Sequence, residues 1–414
     1  MKSSFLKSKS LFLFEDTKNI SFLIHGQGVF IFKNTDNSKP CKFWILNDNE
    51  TDGFSVDFKV DSIKINRLTI LDPLLDPDNK FGLNNNDGVY YWVSLDSQNQ
   101  RFFAGIGEPR IETTCFKYQY NFTSERDDLR KTNKLFLESL TKIKILDDST
   151  AIVPLKLLRD PITRPVSLLI KNTNNLTMED IALGKYLPKA NLSPIAEKLF
   201  DCVSGENFKL NTPDFPDFTK AIEYSIITPG KWCYEKLKEK ATEFDKDKPN
   251  PNETYLRITL AENNGESPGI PYVMEIWPPG NYSPIHNHGG SHAIIKVLSG
   301  NINVKLFPFL SGDQDVVPPF AESNFGEGDI TWLSDSLNQI HKLTNEGKET
   351  CITIQCYMYE SDNISHYDFF DYIQALHKIS QFEPNSDSDF IKFKNIIKDE
   401  FTSYKNNKSF CSLS

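Results

Sequence analysis

The stretch Gly280-Asn-Tyr-Ser-Pro-Ile-His286-Asn-His288-Gly-Gly-Ser-His292-Ala293, running on to Gly300, sets two imidazoles one residue apart between glycines. In extended chain the side chains alternate, so His286 and His288 share a face about 7 Å apart. Two imidazoles at that separation can close on one first-row metal ion. Further on, Gly328-Asp329-Ile-Thr-Trp332 leads to His341-Lys-Leu-Thr-Asn345, and two strands joined through a barrel would bring His341 against the pair. Taken alone, His-x-His reads as a surface pair in a glycine-rich hairpin. The second histidine motif downstream argues for a metal site instead. His292 is out of phase with the pair and reads as a surface or outer-sphere group.

Two more segments carry polar faces. In Tyr255-Leu-Arg257-Ile-Thr259-Leu, the residues Tyr255, Arg257 and Thr259 fall on one side of a strand and Leu256, Ile258 and Leu260 on the other. In Thr350-Cys-Ile-Thr353-Ile-Gln355-Cys-Tyr357-Met-Tyr359, Thr353, Gln355, Tyr357 and Tyr359 share a face and Ile352, Ile354, Cys356 and Met358 its opposite. A guanidinium fork such as Arg257 suits a substrate carboxylate. An exposed arginine on an edge strand is the competing reading.

Gly, five residues, His-x-His and a closing Gly, followed by His, three residues and Asn, is the pattern of the cupin superfamily. Where many cupins have a metal-binding Glu, this sequence has Ala293. A neutral His286, His288, His341 site leaves a divalent ion with adjacent open positions for a thiolate, a second donor and dioxygen. In this it resembles the cysteine dioxygenases over about residues 190 to 375. The resemblance implies Fe(II) as cofactor, Arg257 on the substrate carboxylate and Tyr357 at bound substrate and oxygen. Thr353 replaces the family's Ser, and Gln355 stands where the family has His, so an imidazole relay to Tyr357 is lost. Gln can still orient Tyr357 without titrating. Ala293 replaces the Cys that crosslinks to this Tyr in vertebrate relatives, so Tyr357 stays a free phenol. Tyr255, Trp277 and Ile285 are expected substrate-pocket walls.

The activity implied is dioxygenation of a small thiol, L-cysteine to cysteine sulfinic acid. Alternatives are 3-mercaptopropionate, cysteamine or an amino-terminal cysteine as substrate, or a non-oxidative metal-binding cupin or binding module. On that reading Arg257→Ala is expected to raise the substrate requirement by removing a charge-assisted pair worth about 2 to 3 kcal/mol.

The fold expected around these residues is mainly β: a C-terminal cupin of the jelly-roll type with flanking helices, and an N-terminal β-sandwich-like domain. Residues 1–175 give short aromatic and β-branched runs, such as Gly53 to Val60, Ser62 to Ile70, Val89 to Leu95 and Ile111 to Tyr120. Gly105-Ile-Gly107 reads as a turn, and His25 as packing or surface. No catalytic cluster appears in this half, which is left with an unknown ligand or protein partner. Residues 176–189 read as a linker, and 190–414 as the cupin with a helical lead-in, Ile195 to Leu237. The tail from His366, including His377, reads as helix broken at residues 383–389 and packed on the barrel's outside.

The 414 residues suit two domains, and a net charge of -10 argues against nucleic acid as partner. Seven scattered cysteines, at 41, 115, 202, 233, 351, 356 and 411, form no Cys-x-x-Cys pair and fit reduced thiols in a cytoplasmic setting. The apolar run near the start is too short for a signal peptide, and no uncharged run is long enough to span a bilayer.

Overall fold

The computed structural model describes residues 16–36, 38–69, 73–74, 83, 89–120, 127–146, 151–163, 165–264, 270–312, 317–360, 369–374 and 378–411. The chain divides into two compact units, the first ending at Val166 and the second beginning at Ser167.

The first unit contains β1 (Asn19–Ser21), β2 (Gln27–Asn34), β3 (Cys41–Asn47), β4 (Gly53–Phe58), β5 (Ile63–Arg67), β6 (Pro73–Leu74), β7 (Tyr90–Asp96), β8 (Arg101–Ile106), β9 (Thr114–Gln119), α1 (Asp127–Glu138), β10 (Leu140–Ile145) and β11 (Ile152–Leu158). They form two antiparallel sheets, β1-β10-β3-β4-β5-β6 and β11-β2-β7-β8-β9. Inward aromatics join them: Phe30 meets Phe43 at 5.5 Å and Phe54 meets Phe102 at 5.3 Å between ring centroids. These edge-to-face contacts between alternate residues of facing strands are what a sandwich core requires. Gly105 lies inside β8 rather than in a turn, because a Cβ there would come within 2.3 Å of the Trp92 ring. The turn begins at Gly107, where φ is +70°. His25 is exposed.

The second unit begins with β12 (Leu169–Lys171), α2 (Met178–Leu183), β13 (Tyr186–Pro188), α3 (Pro194–Val203), α4 (Phe218–Ile227) and α5 (Trp232–Lys240). The strands β14 (Leu256–Asn264), β15 (Ile270–Trp277), β16 (His292–Ser299), β17 (Asn301–Leu306), β18 (Ala321–Gly326), β19 (Ile330–Leu333), β20 (His341–Thr344) and β21 (Cys351–Met358) follow. The hairpin β22 (Phe370–Gln374) and β23 (Lys378–Phe382), then β24 (Ser388–Asp389) and α6 (Phe390–Cys411), complete it. Residues 176–189, read from sequence as a linker, are folded: Thr177 and Asp180 close a capping box on α2, and β13 pairs in parallel with β12.

An eight-stranded sheet, β13-β12-β19-β16-β21-β15-β14-β24, faces a three-stranded sheet, β18-β17-β20, in the jelly-roll arrangement of a cupin. The alternation read in the sequence sorts its two faces. Leu256, Ile258, Met274, Ile276 and Ile352 turn outward under Phe218 and Ile222 of α4 and Phe393 and Ile397 of α6. Each such side chain contributes about 2 kcal/mol by leaving water. The inward face carries Tyr255, Trp277 and Val297, which meet Ile302, Val304, Leu306, Phe325 and Leu343 of the smaller sheet.

The sequence reading of helix from His366 onward is corrected by the hairpin at residues 370–382. Phe370, Tyr372 and Phe382 alternate with polar neighbours, a strand period rather than a helical one, and the hairpin pairs with the site segment itself. His366 and His377 lie outside the described residues.

Asn345 fixes the geometry at the end of β20. Its Nδ2 donates to the Trp277 carbonyl at 2.7 Å and the Glu349 carbonyl at 2.9 Å, and its Oδ1 accepts from Gly347. The side chain is fully buried. Asn345→Ala is expected to lower unfolding stability by about 3 kcal/mol, since it strands buried partners. Denaturant titration checks this; an unchanged midpoint would show that the loop closes without the amide.

Candidate metal centre

His286 and His288 lie not within a long strand but on a short extended segment held on both sides. His286 exchanges backbone hydrogen bonds with His341 at 3.0 Å in each direction. On the other side, Asn287 donates to the Asp371 carbonyl and Ile373 to the Ile285 carbonyl, both at 2.9 Å. The segment ends at Gly289 and Gly290, both at positive φ, where the chain turns into β16. His341 opens β20. The three rings converge, with centroids 4.7 to 5.0 Å apart.

All three imidazoles are buried and offer ring nitrogens within 4.8 Å of one another. His288 Nε2 and His341 Nε2 are 3.0 Å apart. That is the spacing of two nitrogens each about 2.1 Å from a common ion and at right angles across it. His286 Nδ1 lies 3.0 Å from the Pro284 carbonyl, so it carries the proton, and Nε2 is left with its lone pair. The ring of His341 is oriented by the Asn338 backbone, and Asn338 is itself held at φ +61° with its amide donating to the Trp332 carbonyl at 3.0 Å.

Burial, reinforced by the Arg257 charge and opposed by the Pro284 bond, lowers the His286 imidazole to about 4. Burial and the neighbouring imidazoles hold His288 well below the usual range, and burial and His286 do the same for His341. Three neutral imidazoles with converging lone pairs fit a metal ion. No carboxylate belongs to the group.

Around the triad lies a cavity of about 50 Å³ lined by Tyr255, Arg257, Glu275, Trp277, Gln355, Tyr357 and Phe370 among others. Tyr255 stacks on Trp277 with centroids 4.2 Å apart, and Tyr357 lies parallel to His288 at 5.9 Å. The Arg257 guanidinium is 5.6 Å from the centre of the Tyr357 ring. Burial pushes both phenols upward, so both remain protonated at neutral pH. Ala293 is completely buried directly across the strand pair from Tyr357. Thr353 and Gln355 are buried on the same strand face, while Ile285 packs instead with Phe307, Ile340 and Ile373.

Three features differ from the sequence reading or escape it. Arg257 is not an exposed edge arginine. It is buried, with Nη1 donating to Oε1 of Glu275 at 2.8 Å. Glu275 is its direct partner in the β14–β15 register and lies near Gln355. A signal was available, because Val273-Met-Glu275-Ile-Trp277 alternates so that Glu275 shares the face of Trp277. Phe370 lies 4.7 Å from His288 between centroids, on the hairpin read as helix. His292 is buried, not on the surface, with Nε2 2.9 Å from Oε1 of Glu360.

The second unit is therefore a cupin in which three histidines are grouped so that they could hold a metal ion. Residues 234–369 match the family described as cysteine dioxygenase type I. Over 115 residues the chain is 24% identical to cysteine dioxygenase type 1 of Rattus norvegicus, covering 28% of this chain and 56% of that protein. Over 92 residues it is 29% identical to the Danio rerio protein of the same name, covering 22% and 44%. The chain thus spans about half the length of the curated relatives it matches. Among solved structures, an oxalate oxidase in complex with the substrate analogue glycolate is 20% identical over 26% of this chain and 52% of that one, with a TM-score of 0.21. A Cupin_2 domain of an XRE family transcriptional regulator from Enterobacter cloacae is 15% identical over 26% and 97%, with a TM-score of 0.21. The six described cysteines outside position 411 are free thiols, and among the described residues no helix is long and apolar enough to cross a membrane.

Proposed function

We propose that residues 190–414 form an Fe(II)-dependent thiol dioxygenase, with residues 1–175 as a separate β-sandwich domain serving another ligand or partner. The observation that carries the reading is the convergence of three buried neutral histidines, without a carboxylate, on a small cavity that also holds Arg257 and Tyr357. Iron(II) held by His286, His288 and His341 would supply thiolate and dioxygen activation, so that R–SH and O2 combine to R–SO2H with no further reductant.

This chain's own residues supply orientation and exclusion of water. Trp277, Tyr255 and Phe370 wall the cavity with apolar surface. Tyr357, a neutral phenol parallel to His288, lines the cavity and supplies a hydrogen-bond donor to it. Thr353 and Gln355 support its strand from the same face. Among thiols, L-cysteine is the reading that follows from assigning Arg257 to a free carboxylate, and the Glu275 contact bears on that assignment.

The test is oxygen consumption by the Fe(II)-loaded protein with L-cysteine, cysteamine and 3-mercaptopropionate, each sulfinate being followed by mass spectrometry. Sulfinate formed in step with oxygen supports the reading; iron bound tightly with no uptake on any thiol rejects it in favour of a non-oxidative cupin. Tyr357→Phe, which removes one donor and leaves the ring, is expected to cut kcat about 10- to 100-fold with the iron content unchanged. An unaltered kcat would take the phenol out of the reaction.

A further inference from the structure

We infer that Glu275 sets the substrate class of this site, turning it from free carboxylates toward small aminothiols that carry an ammonium group and no carboxylate. The inference rests on the thiol dioxygenase reading and deepens it.

A guanidinium that receives a substrate carboxylate must offer an unspent positive charge and free donors. In this cavity the charge of Arg257 is already matched by a buried carboxylate. Its Nη1 donates to Glu275 at 2.8 Å, with side-chain exposures of 10% and 6%, and the guanidinium lies 5.6 Å from the centre of the Tyr357 ring. Its backbone N–H donates to Oδ2 of Asp387 at 2.8 Å. The next cation, Lys240, is shared by Asp387 at 3.1 Å and Glu243 at 3.2 Å. Arg257 and Lys240 are thus set against three carboxylates, Glu275, Asp387 and Glu243, of which Glu275 lines the cavity. An incoming carboxylate would have to enter beside Glu275 and compete for a partner already held in a buried pair.

The arrangement is built into the sheet rather than being a chance rotamer. Arg257 and Glu275 are cross-strand partners, and Glu275 is in turn opposite Thr353 on β21. Both side chains therefore share the cavity face, where opposite charges attract across the ladder. An ammonium group is the chemistry that finds an acceptor here: Glu275 has a second carboxylate oxygen, and the walls of Tyr255, Trp277 and Tyr357 are aromatic faces that favour a cation. The small enclosed volume favours a compact molecule over a peptide. Specificity arises from discrimination against the unwanted charge as much as from attraction to the wanted one.

The experiment uses the full-length Fe(II)-loaded protein and three thiols of graded charge: cysteamine, L-cysteine and 3-mercaptopropionate. Dissociation constants are read anaerobically by calorimetry, and kcat and KM by oxygen uptake. The expected order is cysteamine, then cysteine, then 3-mercaptopropionate, at least tenfold apart at each end and carried by Kd and KM rather than kcat. Glu275→Gln, near-isosteric and neutral, should free Arg257 and improve 3-mercaptopropionate binding at least tenfold while weakening cysteamine; Glu275→Leu should do the same. A wild-type preference for cysteine or 3-mercaptopropionate, or an unchanged order in Glu275→Gln, overturns the inference while the dioxygenase reading stands. Binding or oxidation of none of the three overturns both.

Discussion

Replacing His288 with alanine is expected to strip the protein of its metal, and with it thiol-dependent oxygen uptake, while the chain stays folded. Among the described residues no carboxylate shares the load of the three-histidine group, so removing His288 leaves only two neutral donors. Substituting groups that merely orient a ligand costs about 10- to 100-fold in metal affinity, and loss of the ligand itself exceeds that range. Metal content after dialysis should therefore fall from near one per chain to under about one-tenth, and oxygen uptake by at least about a hundredfold. The fold has little invested in this ring. His288 Nδ1 has no hydrogen-bond partner among the described residues, and its Nε2 faces only another imidazole nitrogen 3.0 Å away. His292→Ala is the contrast. That ring lies in contact with Glu360 at 2.9 Å and outside the triad, so the variant should retain the metal. Full metal occupancy in His288→Ala, measured by elemental analysis beside a native circular dichroism spectrum, would remove His288 from the ligand set.

The sequence shows this centre well because its information is local. Two glycine-bounded histidine motifs and two strands of strict alternation place His286, His288, His341, Arg257 and Tyr357 on one interior face, and the fold gathers these residues around one cavity. The apolar partners Leu256, Ile258, Ile352 and Ile354 fall on the opposite face by the same period. What one strand does not reveal is its register against another. Glu275 becomes meaningful only when β14 and β15 are aligned so that it sits across from Arg257. The hairpin at residues 370–382 fails to read for a different reason. Its aromatic strands are short, and their pairing partner, the segment at residues 285–287, is far away in sequence. The partner of His292, Glu360, likewise lies 68 residues away. Non-local pairing, not ambiguous composition, separates what is legible from what is not.

Arg257→Ala is expected to destabilise the protein by about 3 to 5 kcal/mol at pH 8, because it leaves Glu275 as a buried charge without its partner. The loss should shrink as the pH falls. Burial already raises the Glu275 carboxyl above its ordinary range, and the Arg257 charge is the main influence opposing that rise, with Gln355 and Lys240 adding to it. Removing Arg257 therefore moves the folded-state pKa higher still, while the unfolded value stays near about 4.3. Between those two values the native state binds a proton that the unfolded chain does not, so stability is fully present below the unfolded pKa and is lost as pH rises through the folded one. Tyr255 and Tyr357, the two phenols beside the pair, stay protonated across this window because burial pushes both upward. Denaturant unfolding at pH 5 and pH 8 should thus show a larger deficit at the higher pH, and a deficit independent of pH would show that Glu275 is not the stranded charge. In the double variant Arg257→Ala, Glu275→Leu most of the deficit should disappear, since replacing a buried pair together costs far less than breaking it. This alters how an inactive Arg257 variant must be understood. The sequence reading assigned such a loss to substrate binding, but with Glu275 in place a single substitution perturbs the fold and the site together. Only the pair of variants, compared in kinetics and in stability, separates the arginine's role toward substrate from its role toward its own neighbour.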